Sequence, residues 1–293
     1  MVMNSKGIAY AIISSATFGL IPLFSVAAMN GGQSPFSVLF YRFLFSAVLF
    51  GVFIRIKRVS FRISLKQFSE LVVLGGLCYG GTALFLILSY GFIPTGIATT
   101  INFLYPVMVA LIVFAIYKEK PTLGIALAIV LSLIGVGLMA WSKGATLNVR
   151  GVVYALITVV TYGFYIVGLN KSSLRELNGN TVTFYVLFIA AVLFFVVAQF
   201  FGGIPAITSV RVGLNLVSLA VVATIISNLT LVLAVKAIGS TTTSVLGSME
   251  PLTALAVGVF WFGERLTLWQ TVGVMLVVAS VSMVVLMGRR VRG

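Results

Sequence analysis

Two stretches of this chain repeat one pattern, 144 positions apart. Residues 7–19, GIAYAIISSATFG, align with residues 151–163, GVVYALITVVTYG, and six of the thirteen positions are identical. At an offset of 145 positions a second group coincides: Pro106, Glu119, Thr122 and Leu123 align with Pro251, Glu264, Thr267 and Leu268. A repeat that runs through most of the chain requires a fold made of two similar halves.

Composition places the chain in a membrane. Apolar residues make up 60% of it and charged residues 8%, so few segments could form a solvated surface. The absence of Asp and His excludes His-ligated metal sites, Asp-rich metal–diphosphate motifs and Ser-His-Asp triads, so we expect no metal and no cofactor. Cys78 is the single cysteine, which excludes an intramolecular disulfide.

Ten stretches are long and apolar enough to cross a bilayer as helices, which takes about 20 residues each. The sequence therefore predicts an all-α integral membrane protein with one transmembrane domain, residues 1–293, built from a five-helix repeat at 1–145 and a second at 146–293. The predicted spans are 7–28, 35–56, 67–90, 94–117, 121–141, 150–169, 180–202, 212–235, 240–262 and 267–288.

The basic residues predict the orientation of these spans. The net charge of +14 does not indicate a nucleic-acid partner, because Lys and Arg lie in short gaps between apolar runs. With both termini in the cytoplasm, inner segments hold 14 basic residues and outer loops hold 4. Because five spans per repeat is an odd number, the second half must enter from the opposite side. We therefore expect a 5+5 inverted repeat in a plasma (inner) membrane.

Several short motifs resemble those of EamA-type carriers of the drug/metabolite transporter superfamily. They are Ala237-Ile238-Gly239, Met249-Glu250-Pro251-Leu252 and Gly263-Glu264-Arg265-Leu266 in the second half, and Tyr41-Arg42-Phe43, Leu104-Tyr105-Pro106-Val107 and Lys118-Glu119-Lys120 in the first. The resemblance implies a fold of five plus five helices and export or exchange of small metabolites. It also implies a central cavity lined by spans 3, 4, 8 and 9, with contributions from 1 and 6.

Glu250 is the strongest candidate for a functional residue. It lies near the middle of the ninth predicted span, where a carboxylate costs about 3 kcal/mol even on the mildest insertion scales. Such a group must be protonated, paired or exposed to a wet cavity. It could couple transport to protons or anchor a substrate amine, or it could be a packing feature bonded to a neighbouring helix. The equivalent residue in the first half is Tyr105.

Three prolines predict kinks within spans. Pro106 and Pro251 are repeat equivalents, and each would free the carbonyl four residues earlier, at Asn102 and Gly247. Free carbonyls at membrane depth are tolerated where they line a cavity, although ordinary packing kinks would also explain the prolines. Pro22 would kink the first span and has no equivalent in the second half.

Polar and aromatic residues near these kinks form a predicted substrate site. The alternatives are interhelical hydrogen bonds for the polar members and simple packing for the aromatic ones. Phe18 and Tyr162 enter because they are repeat equivalents. The predicted site comprises Phe18, Tyr79, Thr82, Asn102, Tyr105, Tyr162, Asn228, Gly247 and Glu250.

The remaining charges within or beside spans are interpreted as structural. Arg42 would snorkel or pair with a carboxylate. Glu119 and Glu264 lie at span ends next to basic residues and would form helix-end ion pairs.

We expect a membrane transporter that works by alternating access, rather than an enzyme. Its partners would be the lipid bilayer, a small polar or amphipathic solute, with amino acids favoured, and protons; a single chain would suffice. Two other functions remain open, proton-coupled efflux of drug-like or cationic compounds and a channel-like facilitator. A channel would need continuous polar stripes or charged rings, whereas each span here has isolated polar residues.

Overall fold

The computed structural model describes residues 5–139, 148–207, 209–253, 256 and 267–290, and helices dominate them with no strand among these residues. This confirms the predicted all-α class. We label the α-helices α1 Ser5–Phe18, α2 Ile21–Asn30, α3 Pro35–Ile56, α4 Leu65–Leu71, α5 Gly81–Ser89, α6 Thr95–Asn102, α7 Tyr105–Tyr117, α8 Leu123–Met139, α9 Val149–Lys171, α10 Gly179–Phe200, α11 Val210–Ala220, α12 Ser227–Ile238, α13 Ser240–Leu246 and α14 Leu268–Arg290.

Seven helical segments are long and apolar enough to cross a membrane, and they match predicted spans 1–4 and 6–8. The fifth and tenth predicted spans correspond to shorter apolar helices, Leu123–Leu138 and Thr271–Met283, and residues 254–255 and 257–262 of the ninth lie outside the described residues. The count of ten is therefore not confirmed, whereas a multi-pass helical membrane protein is. The seven are Ser5–Asn30, Pro35–Ile56, Leu65–Ser89, Thr95–Tyr117, Val149–Lys171, Gly179–Phe200 and Val210–Ile238.

The outer faces of these helices are apolar. On α3, Val48, Val52 and Ile56 follow one another at the spacing of one helix face and are 55%, 56% and 73% exposed. Water would make such a stripe costly, whereas lipid tails accept it. The exposed stripes and the hydropathy of the spans therefore agree that the bundle is solvated by lipid.

Five irregular places interrupt the spans. Two-residue turns separate α1 from α2 at residues 19–20, α6 from α7 at 103–104, and α13 from the helix that resumes at residue 249. Two segments, Val72–Gly80 between α4 and α5 and Val221–Ile226 between α11 and α12, have π-helical hydrogen bonding. Irregular backbone at membrane depth is tolerated inside the protein, and π-helical turns often mark functional places.

The two halves contact one another reciprocally. Tyr41 of α3 donates a hydrogen bond to the carbonyl of Pro205 at 3.0 Å, and Tyr185 of α10 donates one to the carbonyl of Phe61 at 2.7 Å. Tyr41 and Tyr185 are 144 positions apart, and so are Phe61 and Pro205. A two-fold relation between the halves produces such pairs, because if one residue touches a second, their equivalents also touch.

Glycines of the repeated motif explain a second reciprocal pair of contacts. A Cβ at Gly7 would lie 2.6 Å from Ile238 Cγ2, and one at Gly151 would lie 2.8 Å from Ile93 Cγ2. These helix starts can therefore approach their neighbours only because they lack side chains. Ile93 and Ile238 are themselves 145 positions apart, which fits the internal repeat.

The two tyrosine hydrogen bonds should differ in their contribution to stability. We expect Tyr185→Phe to lower the free energy of unfolding by about 1 kcal/mol, because the half-buried carbonyl of Phe61 loses its donor. Tyr41→Phe should cost less, since its bond lies where water can replace the hydroxyl. Thermal unfolding in detergent, followed by tryptophan fluorescence, measures both.

Tyr154→Phe is the control, because the Tyr154 ring packs against Phe85 and Phe92 while its hydroxyl bonds no described residue. An equal loss of stability in this variant would show that the hydrogen bonds are not responsible.

Candidate functional site

The centre of the bundle is marked by two aromatic residues that are repeat equivalents and touch each other. Phe18 at the end of α1 and Tyr162 of α9 are buried, and their rings stack with centroids 5.6 Å apart and planes 20° apart. Equivalent residues of two halves can be in contact only near the axis that relates them. This stacked pair therefore locates the internal axis of the protein.

The breaks of the fourth and ninth spans meet beside this pair. The Tyr105 ring, at the start of α7, packs edge-on against Tyr162 with centroids 4.8 Å apart. Its hydroxyl lies against Gly247, where an added Cβ would be 1.6 Å from the tyrosine oxygen. Gly247 is thus the position at which one break accommodates a side chain from the other.

Glu250 lies at the same junction and is 3% exposed. A Cβ at Gly19 would lie 2.5 Å from the Glu250 carbonyl, so the break in the first span packs on the break in the ninth. The Asn102 side chain lies close to the Glu250 carboxylate, and its Nδ2 has no partner at hydrogen-bond distance among the described residues. In the described residues no cation lies within ion-pair distance of Glu250.

A second group of polar residues adjoins the stacked pair. Asn228 of α12 donates from Nδ2 to the Tyr165 hydroxyl at 2.9 Å, and the Tyr165 ring lies 4.9 Å from that of Tyr79. Tyr165 is not among the residues of the predicted site. It lies three positions after Tyr162 on the same helix, a spacing that places both on one face and could have identified it.

Four buried polar atoms near this junction have no hydrogen-bond partner among the described residues. Leaving such an atom unpaired costs about 1–3 kcal/mol, and native proteins accept this cost at few places. A polar ligand or water would relieve it. The four atoms are the hydroxyls of Tyr79 and Tyr90, Nδ2 of Asn102 and Oδ1 of Asn228.

Thr82 is engaged in helix packing. Its hydroxyl bonds the Thr161 hydroxyl at 2.7 Å and the Cys78 carbonyl at 2.8 Å. Asn102 is partly engaged as well, since its Oδ1 accepts a hydrogen bond from Thr158 at 2.8 Å. The amide nitrogen of Asn102 therefore remains the free half of that side chain.

The prolines follow helix breaks rather than bending continuous helices. Pro22 and Pro106 lie in the first turns of α2 and α7, where a missing N–H has no intrahelical acceptor to lose. Pro251 is the third residue after the turn at 247–248. The freed carbonyl expected at Gly247 is not free, because it accepts the Glu250 N–H at 2.9 Å.

The three charged residues that the sequence predicts to be structural are Glu119, Arg42 and Glu264. Glu119 pairs with Lys171 of α9 at 2.5 Å, rather than with the lysines next to it in sequence. Arg42 is 3% exposed and donates from Nε to Thr224 Oγ1 at 2.7 Å, so it does not snorkel. Glu264 lies outside the described residues.

Comparison with known proteins identifies the family. Two segments, residues 5–141 and 149–286, match the EamA-like transporter family. The chain belongs to the EamA-like transporter family. The resemblance seen in the motifs is thereby confirmed, and the two matched segments fit the internal repeat. The proteins of this family are membrane transporters and are not typically enzymatic.

Two similar proteins add to this. An uncharacterized transporter of Synechocystis sp. is 28% identical over 203 residues, which are 68% of this chain and 61% of that protein. The match thus spans about three fifths of the relative's length. A solved crystal structure with 16% identity has a TM-score of 0.82 and covers 99% of this chain and 100% of its own, which shows a shared fold.

The contact between the two breaks can be tested at Gly247. We expect Gly247→Ala to lower stability by about 1–3 kcal/mol, because its Cβ would overlap the Tyr105 hydroxyl and lie 2.8 Å from the Ser244 carbonyl. Tyr105→Phe should restore part of that loss in the double variant, since it removes the nearest atom. A double-mutant cycle of unfolding midpoints measures the coupling.

Gly137→Ala serves as the control, because no atom lies within 4 Å of a Cβ at that helical position. Strict additivity of Gly247→Ala and Tyr105→Phe would contradict the packing described here.

Proposed function

We propose that this protein is an alternating-access carrier of small polar or amphipathic metabolites, and that the solute binds where the broken spans meet. The observation that supports it most is the group of underbonded polar atoms of Tyr79, Asn102 and Asn228 buried beside Glu250 and the stacked aromatic pair. A fold that had only to be stable would gain by replacing such atoms with apolar groups. A transporter needs such polar atoms, because they form hydrogen bonds with the solute in place of the water that the solute loses on binding.

The proposed architecture is ten spans in two inverted five-helix repeats, residues 1–145 and 146–293. The reciprocal contacts of Tyr41 with Pro205 and Tyr185 with Phe61 support a two-fold relation between the halves. The bias of basic residues supports inversion, with both termini in the cytoplasm of a cell with a plasma (inner) membrane. Carriers of this design expose a fixed central site to one side at a time.

The chemistry of the site favours a solute with both donors and acceptors. Asn102 offers an amide N–H, Asn228 offers an amide oxygen, and Glu250 offers a carboxyl group. The rings of Phe18, Tyr105 and Tyr162 form an apolar wall beside them. Amino acids combine these features and are the first candidates, with export or exchange as the mode of transport.

Helix breaks supply places where the halves can move. The turns at 19–20, 103–104 and 247–248 meet at the site, and the π-helical segments Val72–Gly80 and Val221–Ile226 lie in equivalent spans. We assign the hinges of the transport cycle to these irregular segments, because the regular helices between them move as rigid bodies.

Glu250 is the proposed proton-coupling residue. In proteoliposomes loaded with a labelled amino acid, a pH gradient should accelerate transport by the wild-type protein, whereas Glu250→Gln should transport at one rate with or without the gradient. The amide keeps the shape of the side chain but cannot bind and release a proton. Unfolding midpoints of both proteins confirm that the variant is folded.

Glu176→Gln is the matched control, because Glu176 is exposed and lies in a loop between α9 and α10. If Glu250→Gln keeps the full response to the gradient, Glu250 does not couple protons.

A second candidate is proton-coupled efflux of drug-like cations. The observation in its favour is that a carboxyl group and aromatic rings without a neighbouring cation also suit an organic cation. A lipophilic phosphonium ion distinguishes the two functions. A cation carrier would transport the ion itself, and the ion would therefore compete with amino-acid transport. Saturation and counterflow distinguish either carrier from a channel-like facilitator.

A further inference from the structure

Arg42 is a buried cation without a carboxylate. It lies on α3, is 3% exposed, and sits 5.1 Å from the centre of the Phe43 ring. In the described residues, Glu119 is paired with Lys171 and Glu70 accepts a hydrogen bond from Ser173, and no carboxylate lies within ion-pair distance of the Arg42 guanidinium. A buried charge that lacks a counter-charge is costly, so its retention in the bundle needs a reason.

The guanidinium is held by one bond that leaves most of its donors unused. Nε donates to Thr224 Oγ1 at 2.7 Å, and the Thr224 hydroxyl in turn donates to the Leu219 carbonyl at 2.7 Å. Thr224 belongs to the π-helical segment Val221–Ile226, which fixes its position. Among the described residues no acceptor lies within hydrogen-bond distance of the terminal nitrogens of Arg42.

A narrow pocket opens beside this group, between α2, α3, α5 and α11. The space in it that water can occupy is about 10 Å³, which is about one molecule. Apart from Arg42, Tyr90 and Ser25, its walls are aliphatic, and Ser25 already donates to its own helix at Ile21. In this conformation the pocket admits at most a small polar group and not a whole metabolite.

The polar atoms around this pocket are donors. The Tyr90 hydroxyl lines it, the Tyr79 hydroxyl lies near Arg42, and neither hydroxyl has a partner at hydrogen-bond distance among the described residues. In the described residues no carboxylate lies at ion-pair or hydrogen-bond distance from these three groups. A guanidinium and two hydroxyls match the oxygens of an anion, since every one of them can donate. An ammonium group would meet a like charge here.

We infer that Arg42, with Tyr79 and Tyr90, binds the carboxylate of the transported solute. The inference rests on the proposed carrier function and specifies its substrate class, carboxylate-bearing solutes, anionic or zwitterionic, rather than organic cations. A chain of ring contacts connects this pocket with the junction at Glu250: Tyr79 with Tyr165, Tyr165 with Tyr162, and Tyr162 with Tyr105. A carboxylate is planar and fits the arginine fork with two parallel bonds.

Binding can be tested with probes that differ in one group. Isocaproate carries a carboxylate, isocaproamide replaces it with a neutral amide, isoamylamine carries an amine, and L-leucine carries carboxylate and amine together. In chloride-free buffer, isocaproate and L-leucine should raise the unfolding midpoint of the detergent-purified protein, because a ligand that binds the folded state stabilises it. The amide and the amine should not.

Variants test the residues. Arg42→Gln should weaken isocaproate binding about tenfold or more, and Arg42→Lys should retain part of it. Tyr90→Phe leaves the Arg42–Thr224 bond intact and should weaken binding severalfold, so the inference stays testable if Arg42→Gln does not fold. Arg211→Gln is the matched control, since Arg211 is exposed at the start of α11.

Three results would overturn the inference: equal stabilisation by isocaproamide, equal stabilisation by chloride at the same concentration, or undiminished isocaproate binding by both Arg42→Gln and Tyr90→Phe. Transport assays keep it distinct from the carrier proposal. Carboxylate binding that depends on Arg42 without any transport in proteoliposomes would sink the carrier proposal alone. If Arg42→Gln transports as fast as the wild-type protein and isoamylamine is the preferred solute, this inference is wrong and the carrier proposal stands.

Discussion

Hydrocarbon offers no hydrogen-bond partner, and this constraint organises the whole protein. It forces the backbone into helices, because each N–H and carbonyl must be satisfied within its own segment. It also confines every exception to the interior of the bundle. The helix breaks at 19–20, 103–104 and 247–248 accordingly meet inside the bundle, beside buried polar side chains such as Asn102 and Glu250.

The internal repeat supplies the geometry of that junction, and its departures from symmetry supply the chemistry. Phe18 stacks on its own equivalent, Tyr162, as a residue pair at a two-fold axis can. Tyr105, in contrast, is equivalent to Glu250, and Arg42 is equivalent to Val186. Each half therefore contributes a different charged group, so the bound solute meets an asymmetric environment within a nearly symmetric frame.

Much of the fold followed from local sequence. The hydropathy of each span, the repeated glycines and the motif around Glu250 were sufficient for the all-α class, the repeat and the family. The residues of the predicted site are brought together only in part. Glu250, Asn102, Tyr105, Phe18 and Tyr162 come together as their positions in the repeat suggested, whereas Thr82 bonds to Thr161 and to its own helix. Neither the repeat nor a motif marks Tyr90 or Tyr165 in the sequence, so neither residue was predicted to belong to the site.

The sequence by itself determined that the chain forms apolar membrane helices and contains an internal repeat, because lipid imposes a length and a composition that can be counted. Only the tertiary structure decided which face of each helix points inward. In a span that is apolar on nearly every side, no polar stripe sets the rotation about the helix axis. Close approaches such as those at Gly7, Gly151 and Gly247 restrict that rotation for their own helices. On α3, the contact of Gly51 with the Phe184 ring and the bond from Arg42 to Thr224 hold Arg42 beside a pocket inside the bundle.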